Sequence, residues 1–450
     1  MSETSDIAAG RLQQDAYSRN FADLHPPLDR YEAKVAADRC FFCYDAPCMT
    51  ACPTSIDIPM FIRQISTANP VGAAKTILDS NIMGAMCARV CPTEQLCEEA
   101  CVREAMEGKP VEIGRLQRYA TDTLMAAGKQ LFAAGPATGF RVAVVGGGPA
   151  GLSCAHGLAV LGHAVTIFEA RDKLGGLNEY GIAAYKANDD IAQKEVEYIL
   201  GVGGITVRTG VRLGRDVHLG DLARDFDAVF LSIGLGDTNT LGIAGDDAAG
   251  SADAVDYIAM LRQADDLATL PVGRRVVVIG GGMTAIDIAS QIKRLGAEDV
   301  TIVYRRGAAD MGASPYEQEV AQTTGVLIRH WAAPTAIVPE AGKVTGVAFE
   351  RTALRDGRLV GTGDFYTLPC DQVFRAIGQV FVASDLEGGL DLAAGRVKVD
   401  AEQRTSHKRV WAGGDCVAMD KDLTVVAVEH GKRAARSIDA TLRAGAARAA

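Results

Sequence analysis

What the chain lacks narrows its function first. It has no excess of basic residues: 46 Lys and Arg against 56 Asp and Glu leave a formal charge of −10, so no nucleic-acid partner is expected. The acidic surface speaks for solubility, not for a fold. Residues 1–20 show no basic region followed by an apolar run, so no secretory or organelle signal is read and a cytoplasmic location is expected. A membrane span is lacking too. The one long uncharged stretch, residues 142–168, holds Gly146, Gly147, Gly148 and Pro149 together, then His156 and His163. That suits a buried strand, a tight turn and a helix better than a bilayer. His is scarce, with seven in 450 residues and none in a nucleophile or metal motif. The remainder is ordinary: 48% hydrophobic and 23% charged residues exclude disorder and fibrous structure, and a chain of this length buries a large core without disulfides.

Cysteine, by contrast, is concentrated. Eight of the eleven fall between Cys40 and Cys101, leaving Cys154, Cys370 and Cys416 outside. In a reducing compartment such thiols are not a disulfide framework. The spacing runs Cys40-x2-Cys43-x4-Cys48-x3-Cys52-Pro53, then Cys87-x3-Cys91-Pro92-x4-Cys97-x3-Cys101. A Cys-Pro pair beside a tight Cys run recurs in cluster-binding ferredoxin segments. The x3 gaps suit one face of a helix; the x2 and x4 gaps suit loops wrapped round a cofactor. Eight thiolates would serve two four-iron clusters if every ligand were Cys. The competing reading, two four-Cys zinc sites, calls for two separated C-x2-C pairs per ion, and the chain has one such pair. Segments 58–68, 72–80 and 113–127 read as short helices. Residues 1–135 are therefore expected to form an α-helical iron–sulfur domain held together by its metal centres, closing in the small-residue linker at 133–139.

Beyond the linker stands Arg141-Val-Ala-Val-Val-Gly146-Gly-Gly148-Pro-Ala150-Gly151, an apolar run to Leu161, and a second strand, Ala164 to Phe168, ending at Glu169. This is G-x-G-x-x-G in its required context of strand, turn and helix. Gly146 permits the turn, Gly148 lets a pyrophosphate approach the backbone, Gly151 lets helix and strand pack, and Glu169 is placed to accept ribose hydroxyls. Gly176 and Leu177, further along the same half, join the candidate flavin-site residues. The pattern repeats in Arg275-Val-Val-Val-Ile-Gly280-Gly-Gly282-Met-Thr284-Ala285, followed by a strand from Val300 to Tyr304. Here Arg305 and Arg306 stand where the first copy has Glu169, and two guanidiniums would welcome a 2′-phosphate that an acid would repel. The alternative is a solvated Arg pair at a strand end.

A second repeat, Asp227 to Gly234 and Asp371 to Gly378, supports two copies of one fold. That is expected of a flavin enzyme taking hydride from a nicotinamide. Val410-Trp411-Ala-Gly413-Gly414-Asp415 then offers a carboxylate at a strand end for the ribityl chain of FAD; the alternative is an N-cap or turn residue. The expected fold is an α-helical iron–sulfur domain followed by two α/β Rossmann-like dinucleotide-binding domains, the second inserted in the first: FAD at 136–244 and 379–450, NAD(P)H at 245–378.

The run Cys43-Tyr-Asp-Ala-Pro-Cys48, with Cys52-Pro-Thr, Asp57-Ile58, Gly72-Ala-Ala-Lys75, Cys91-Pro-Thr, Ile113-Gly114 and Leu116-Gln117, resembles the N-terminal part of dihydropyrimidine dehydrogenase. The chain as a whole resembles the flavin–iron–sulfur subunit of the bacterial NAD-linked form. The resemblance implies two [4Fe-4S] clusters in a crossed arrangement: Cys40, Cys43, Cys48 and Cys101 on one; Cys52, Cys91, Cys97 and the Gln117 side-chain oxygen on the other. Cys87 is then a bystander; the alternative makes Cys87 the eighth ligand and Gln117 a surface residue. The small subunit of glutamate synthase shares the same three modules, but carries an acid where Gln117 stands and differs in the Asp-Ala-Pro-Cys run.

The resemblance further implies a chain that oxidises NAD(P)H through FAD and sends electrons out through the clusters, with no protein acid or base required. Because the sequence ends at Ala450, the FMN-bearing barrel that reduces uracil or thymine is expected on an FMN- and iron–sulfur-containing partner subunit, in a heterotetramer. The region from Cys40 to Cys101 is the expected contact surface. The Arg pair points to NADPH, whereas separate-subunit bacterial members of the family are NAD-linked.

Overall fold

The computed structural model describes residues 7–449 apart from 387, 419 and 420; residues 1–6 of the expected first domain, and Ala450, lie outside them. The chain divides into two compact units. The larger takes His25–Glu179, Asp189–Gly236 and Phe381 onward; the smaller takes the chain up to Leu24, Tyr180–Asn188 and Asp237–Val380.

In the larger unit the helical part opens on a capping box. Asp29 accepts from Tyr31 and Glu32 N–H at 2.7 and 2.8 Å, and Glu32 accepts from Asp29 N–H at 2.8 Å, starting the helix Arg30–Asp38. Proline in the first turn of Ile58–Ser66 and Pro70–Ser80 presets φ for helix entry. These helices and Ile113–Ala126 close round Phe61, Ile62, Ile77 and Leu116, all fully buried. The same core runs on into a five-stranded sheet ordered Val410–Ala412, Ala228–Leu231, Arg141–Val145, Ala164–Phe168, Ile205–Arg208. Every neighbouring pair in it is parallel, as expected of strands buried on both faces. Helices Pro149–Val160 and Thr424–Ala449 lie against each other, and a Cβ on Gly431 would stand 2.2 Å from Ala150 O.

The smaller unit has its own parallel sheet, ordered Leu327–Arg329, Asp299–Val303, Arg275–Gly280, Gln372–Ala376, Ser251–Asp253. It also has an antiparallel sheet of Ala332–Glu340, Lys343–Arg355 and Arg358–Pro369. The two parallel sheets use the repeated segment in the same way. Asp227 accepts from Arg141 N–H at 2.8 Å, and Asp371 from Arg275 N–H at 3.2 Å, so each Asp secures the start of a fingerprint strand. Each following strand then runs alongside that fingerprint strand. Gly146 (φ +101°) and Gly280 (φ +150°) press on it so closely that a Cβ would lie 2.3 Å from Ser232 O and 2.2 Å from Ala376 O.

The division departs from the expected boundaries in three places. Residues 7–24 belong with the smaller unit, not the helical part, because Ile7–Ala8 pairs antiparallel with Val272–Gly273 and Tyr17 is buried in that unit's core. Asp237–Thr238 pairs with Gln379–Val380, which moves the junctions from 244/245 and 378/379 to 236/237 and 380/381. Tyr180–Asn188 makes a short excursion into the smaller unit. Ala183 and Tyr185 pack there on Val320, Ala184 N–H donates to Gln291 Oε1 at 2.9 Å, and Lys186 sits 2.8 Å from Asp287 and 2.7 Å from Glu317. Among the described residues, no helix is long and apolar enough to cross a membrane.

Candidate functional site

The helical part brings the two cysteine segments together and sorts their thiols. Cys40 and Cys43 lie in the loop after Arg30–Asp38, Cys48 on the short helix Pro47–Ala51, and Cys101 caps Val102–Glu107. All four line one recess, partly open to solvent, with Ile58, Ile62 and Ile113 as its apolar wall. The Cys40 and Cys48 thiols are pushed up, Cys48 to about 12, by burial first and then by the neighbouring thiols, Cys101 foremost. Cys52 and Cys91 each end a short helix and Cys97 lies in the turn beyond. Cys91 is raised by its hydrogen bond with Cys87, by burial and by Cys97 and Cys52; Cys97 is raised by burial, Glu98, Cys52 and Cys48. Only a strongly cationic centre would reverse those shifts. Among the described residues no three His, Cys, Asp or Glu side chains are placed to hold a metal ion. Four thiols lining one recess are the donor set of a four-iron cluster in which every ligand is Cys.

Cys87 is buried on the helix Gly84–Val90, whereas the other seven thiols of the two runs are partly exposed. Gln117 is buried rather than on the surface. Its Nε2 donates to Gly84 O at 2.7 Å, which fixes the amide group. One turn earlier on the same helix, Gly114 lies against Thr93 and Ala88, so Gln117's helix abuts the second cysteine segment. The three remaining cysteines are buried; burial raises Cys154 and carries Cys370 and Cys416 to about 12, which makes them inert thiols.

The first fingerprint forms a cradle. Gly146 turns the chain after Arg141–Val145 and Gly148 caps Pro149–Val160. Gly151 admits no Cβ, which would stand 1.9 Å from Gly146 O. At Gly148, by contrast, a Cβ would find nothing nearer than Gly176 Cα at 3.7 Å. That space at a helix N-terminus is what a pyrophosphate would fill. Glu169 is buried and accepts from Gly147 N–H at 2.7 Å and Arg171 N–H at 2.8 Å. Gly414 (φ +74°) sits over Ala150 and donates to His430 Nδ1 at 3.3 Å. Burial, helped by Asp422 and opposed by Arg396, raises Asp415 to about 6. Leu177 is 39% exposed and starts the short helix Leu177–Tyr180. Its neighbour Asn178 is buried, accepts at Oδ1 from the Thr424 hydroxyl at 2.8 Å, and has no partner for Nδ2 among the described residues. An orphan donor, a desolvated carboxylate and an open glycine cradle together fit a bound dinucleotide.

The second fingerprint repeats the geometry. Gly282 caps Met283–Arg294, and a Cβ there would meet nothing within 4 Å; Ala285 is fully buried and Thr284 half-buried. Arg305 and Arg306 follow the strand Asp299–Val303 and are exposed, and among the described residues their backbone carbonyls are engaged, by Thr352 and Trp331.

Sequence reasoning passed over two further groups. Glu195, on Ile191–Leu200, is fully buried; it accepts from Ala85 N–H at 2.7 Å and Met86 N–H at 3.3 Å, and burial pushes it up to about 8. Lys432, on Thr424–Ala449, donates to Thr54 O and Ser80 O, both at 3.0 Å. Each stands among other charged residues in a helical pattern that reads as solvated, and only the fold reveals what it meets.

A helical part with paired thiol groups, joined to two nucleotide cradles on parallel sheets, defines the class: an iron–sulfur flavoprotein that uses a pyridine nucleotide. Residues 17–129 match the family described as dihydropyrimidine dehydrogenase domain II, 4Fe-4S cluster, and residues 140–431 match pyridine nucleotide-disulphide oxidoreductases. The NAD-dependent dihydropyrimidine dehydrogenase subunit PreT of Salmonella typhimurium is 35% identical over 422 residues, 93% of this chain and 97% of its own. The glutamate synthase [NADPH] small chain of Escherichia coli is 33% identical over 447 residues, 93% of each chain. Among solved structures, Mycobacterium tuberculosis FprA in complex with NADPH aligns with a TM-score of 0.58 at 20% identity, covering 69% of this chain and 86% of that one, a likeness of fold alone. The chain belongs to the family of iron–sulfur pyridine nucleotide oxidoreductases that includes these two subunits, and it is an NAD(P)H-dependent oxidoreductase.

Proposed function

We propose that this chain is the electron-input subunit of a dihydropyrimidine dehydrogenase, oxidising NAD(P)H and delivering electrons to an FMN- and iron–sulfur-containing partner that reduces uracil or thymine. The observation that carries this reading over the glutamate synthase alternative is Gln117. A buried amide tied through Nε2 to Gly84 O offers a neutral oxygen where a resemblance to the rival subunit would imply an acid. Exchanging a thiolate for a neutral ligand makes a cluster less negative and easier to reduce. The ligand sets are Cys40, Cys43, Cys48 and Cys101 for one [4Fe-4S] cluster, and Cys52, Cys91, Cys97 and Gln117 for the other.

Bound FAD, NAD(P)H and the clusters supply the hydride and single-electron chemistry. The chain supplies position. Gly146, Gly148, Ala150, Gly151, Gly176, Leu177 and Gly414 shape the flavin cradle, with Glu169 and Asp415 for the sugar hydroxyls. Gly280, Gly282, Thr284 and Ala285 shape the nicotinamide nucleotide's cradle, in a domain inserted within the flavin domain. Exposed Arg305 and Arg306 favour NADPH, although one relative is called NAD-dependent and the other is an NADPH enzyme.

Anaerobically purified chain should carry iron and acid-labile sulfide for two clusters, together with FAD. Mixed with its barrel subunit it should oxidise NADPH or NADH only when uracil or thymine is present. A pyrimidine-independent rate, or stimulation by glutamine and 2-oxoglutarate with a different partner, would shift the assignment to the alternative.

A further inference from the structure

Two side chains from the part of the larger unit that carries the first fingerprint take hold of the backbone beside the second cluster's ligands. Lys432 donates to Thr54 O and Ser80 O, both at 3.0 Å, with Glu429 of its own helix 2.6 Å away. Thr54 is two residues beyond Cys52, and its Oγ1 lies 3.4 Å from the Cys52 sulfur. Glu195 accepts from the N–H groups of Ala85 and Met86 at the start of the helix that ends at Cys91. The carbonyl one residue earlier, Gly84 O, holds the Gln117 amide. Two of the four proposed ligands of that cluster, Cys52 and Cys91, thus lie on segments that these two side chains grip, and a third, Gln117, is tied to one of those segments through Gly84 O.

We propose, resting on the ligand set given above, that Lys432 and Glu195 are positioning residues for the second cluster, holding the Cys52 loop and the Cys91–Gln117 face at a fixed place against the flavin-type domain. The cost of the arrangement argues for this role. Joining two parts of a core needs only apolar contact, and burying a polar side chain there is offset only if its partners are well placed. What a hydrogen bond to a peptide group adds over packing is a fixed direction and distance. Glu195 and Lys432 add it at the helix start and the loop, where the backbone N–H and C=O groups have no partners within their own elements. Outer groups of this kind orient metal ligands and tune their centres. The sign of the electrostatic effect also follows. Removing Lys432 deletes one positive charge near the Cys52 loop and leaves Glu429 facing Arg433, so the second cluster becomes harder to reduce.

The test is an EPR-monitored redox titration of the full, cluster-loaded chain. In Lys432→Met the second cluster should move to a more negative potential while the first keeps its own and FAD stays bound; Lys432→Arg should lie close to the parent. Glu195→Gln, which keeps an amide oxygen for Ala85 N–H, should preserve the second cluster's spectrum. Glu195→Leu should broaden or lose it, with the iron content falling towards half. If Lys432→Met and Glu195→Leu leave that cluster's potential and spectrum unmoved, or shift both clusters alike, the positioning role is wrong. A parent protein holding one cluster instead of two would overturn the ligand set and this proposal with it.

Discussion

Replacing Gly282 by Ala separates folding from nucleotide binding. Gly282 caps its helix at φ −93° and ψ 179°, a conformation open to any residue, and an added Cβ would meet nothing within 4 Å. The free chain therefore suffers no steric clash, and restricting the unfolded chain should stabilise it by about 0.4–1 kcal/mol. The nucleotide complex is a different matter, because the methyl group occupies the space through which a pyrophosphate reaches the helix N-terminus. Losing one charge-assisted hydrogen bond there costs about 1.5–3 kcal/mol, which corresponds to a roughly ten- to hundred-fold weaker Kd. Fluorescence titration with NADPH and NADH measures the second effect and thermal unfolding the first. A variant that binds nucleotide like the parent, or whose Tm falls by several degrees, would refute the reasoning.

Gly151→Ala should behave in the opposite way: a Cβ 1.9 Å from Gly146 O breaks the first fingerprint, and loss of soluble protein or of FAD is the expected readout. Arg305→Ala with Arg306→Ala should raise the KM for NADPH about tenfold or more and leave that for NADH little changed; equal effects would show that the pair does not read the 2′-phosphate. Asp415 is raised to about 6, so the flavin-free chain binds this proton more tightly folded than unfolded. Its stabilising effect is complete below about pH 4 and is lost as pH rises through 6, by at most about 3 kcal/mol. Tm measured between pH 5 and 7 should show that decline, and Asp415→Asn should flatten it. Cys87→Ala should retain both clusters by iron and sulfide analysis, whereas Cys91→Ser should lose one.

Local sequence determined the features whose causes are local. A strand, a glycine turn and a helix start are written within about a dozen residues at Gly146 and again at Gly280, because φ and close packing at those points admit little else. The repeated Asp227 and Asp371 could be found as a pair without a structure, although the reason for them, an N–H at the start of each neighbouring strand, could not. The clustering of eight thiols was equally plain. Tertiary structure alone decided which partners lie far apart in the chain. Ile7–Ala8 joins a strand at Val272–Gly273, Tyr180–Asn188 lodges on helices more than a hundred residues later, and Glu195 and Lys432 grip the cysteine loops. Such contacts leave no periodicity, since one charged residue on a helix has the same local pattern whether it faces water or an unpaired peptide group. Only the packing of the chain tells the two apart.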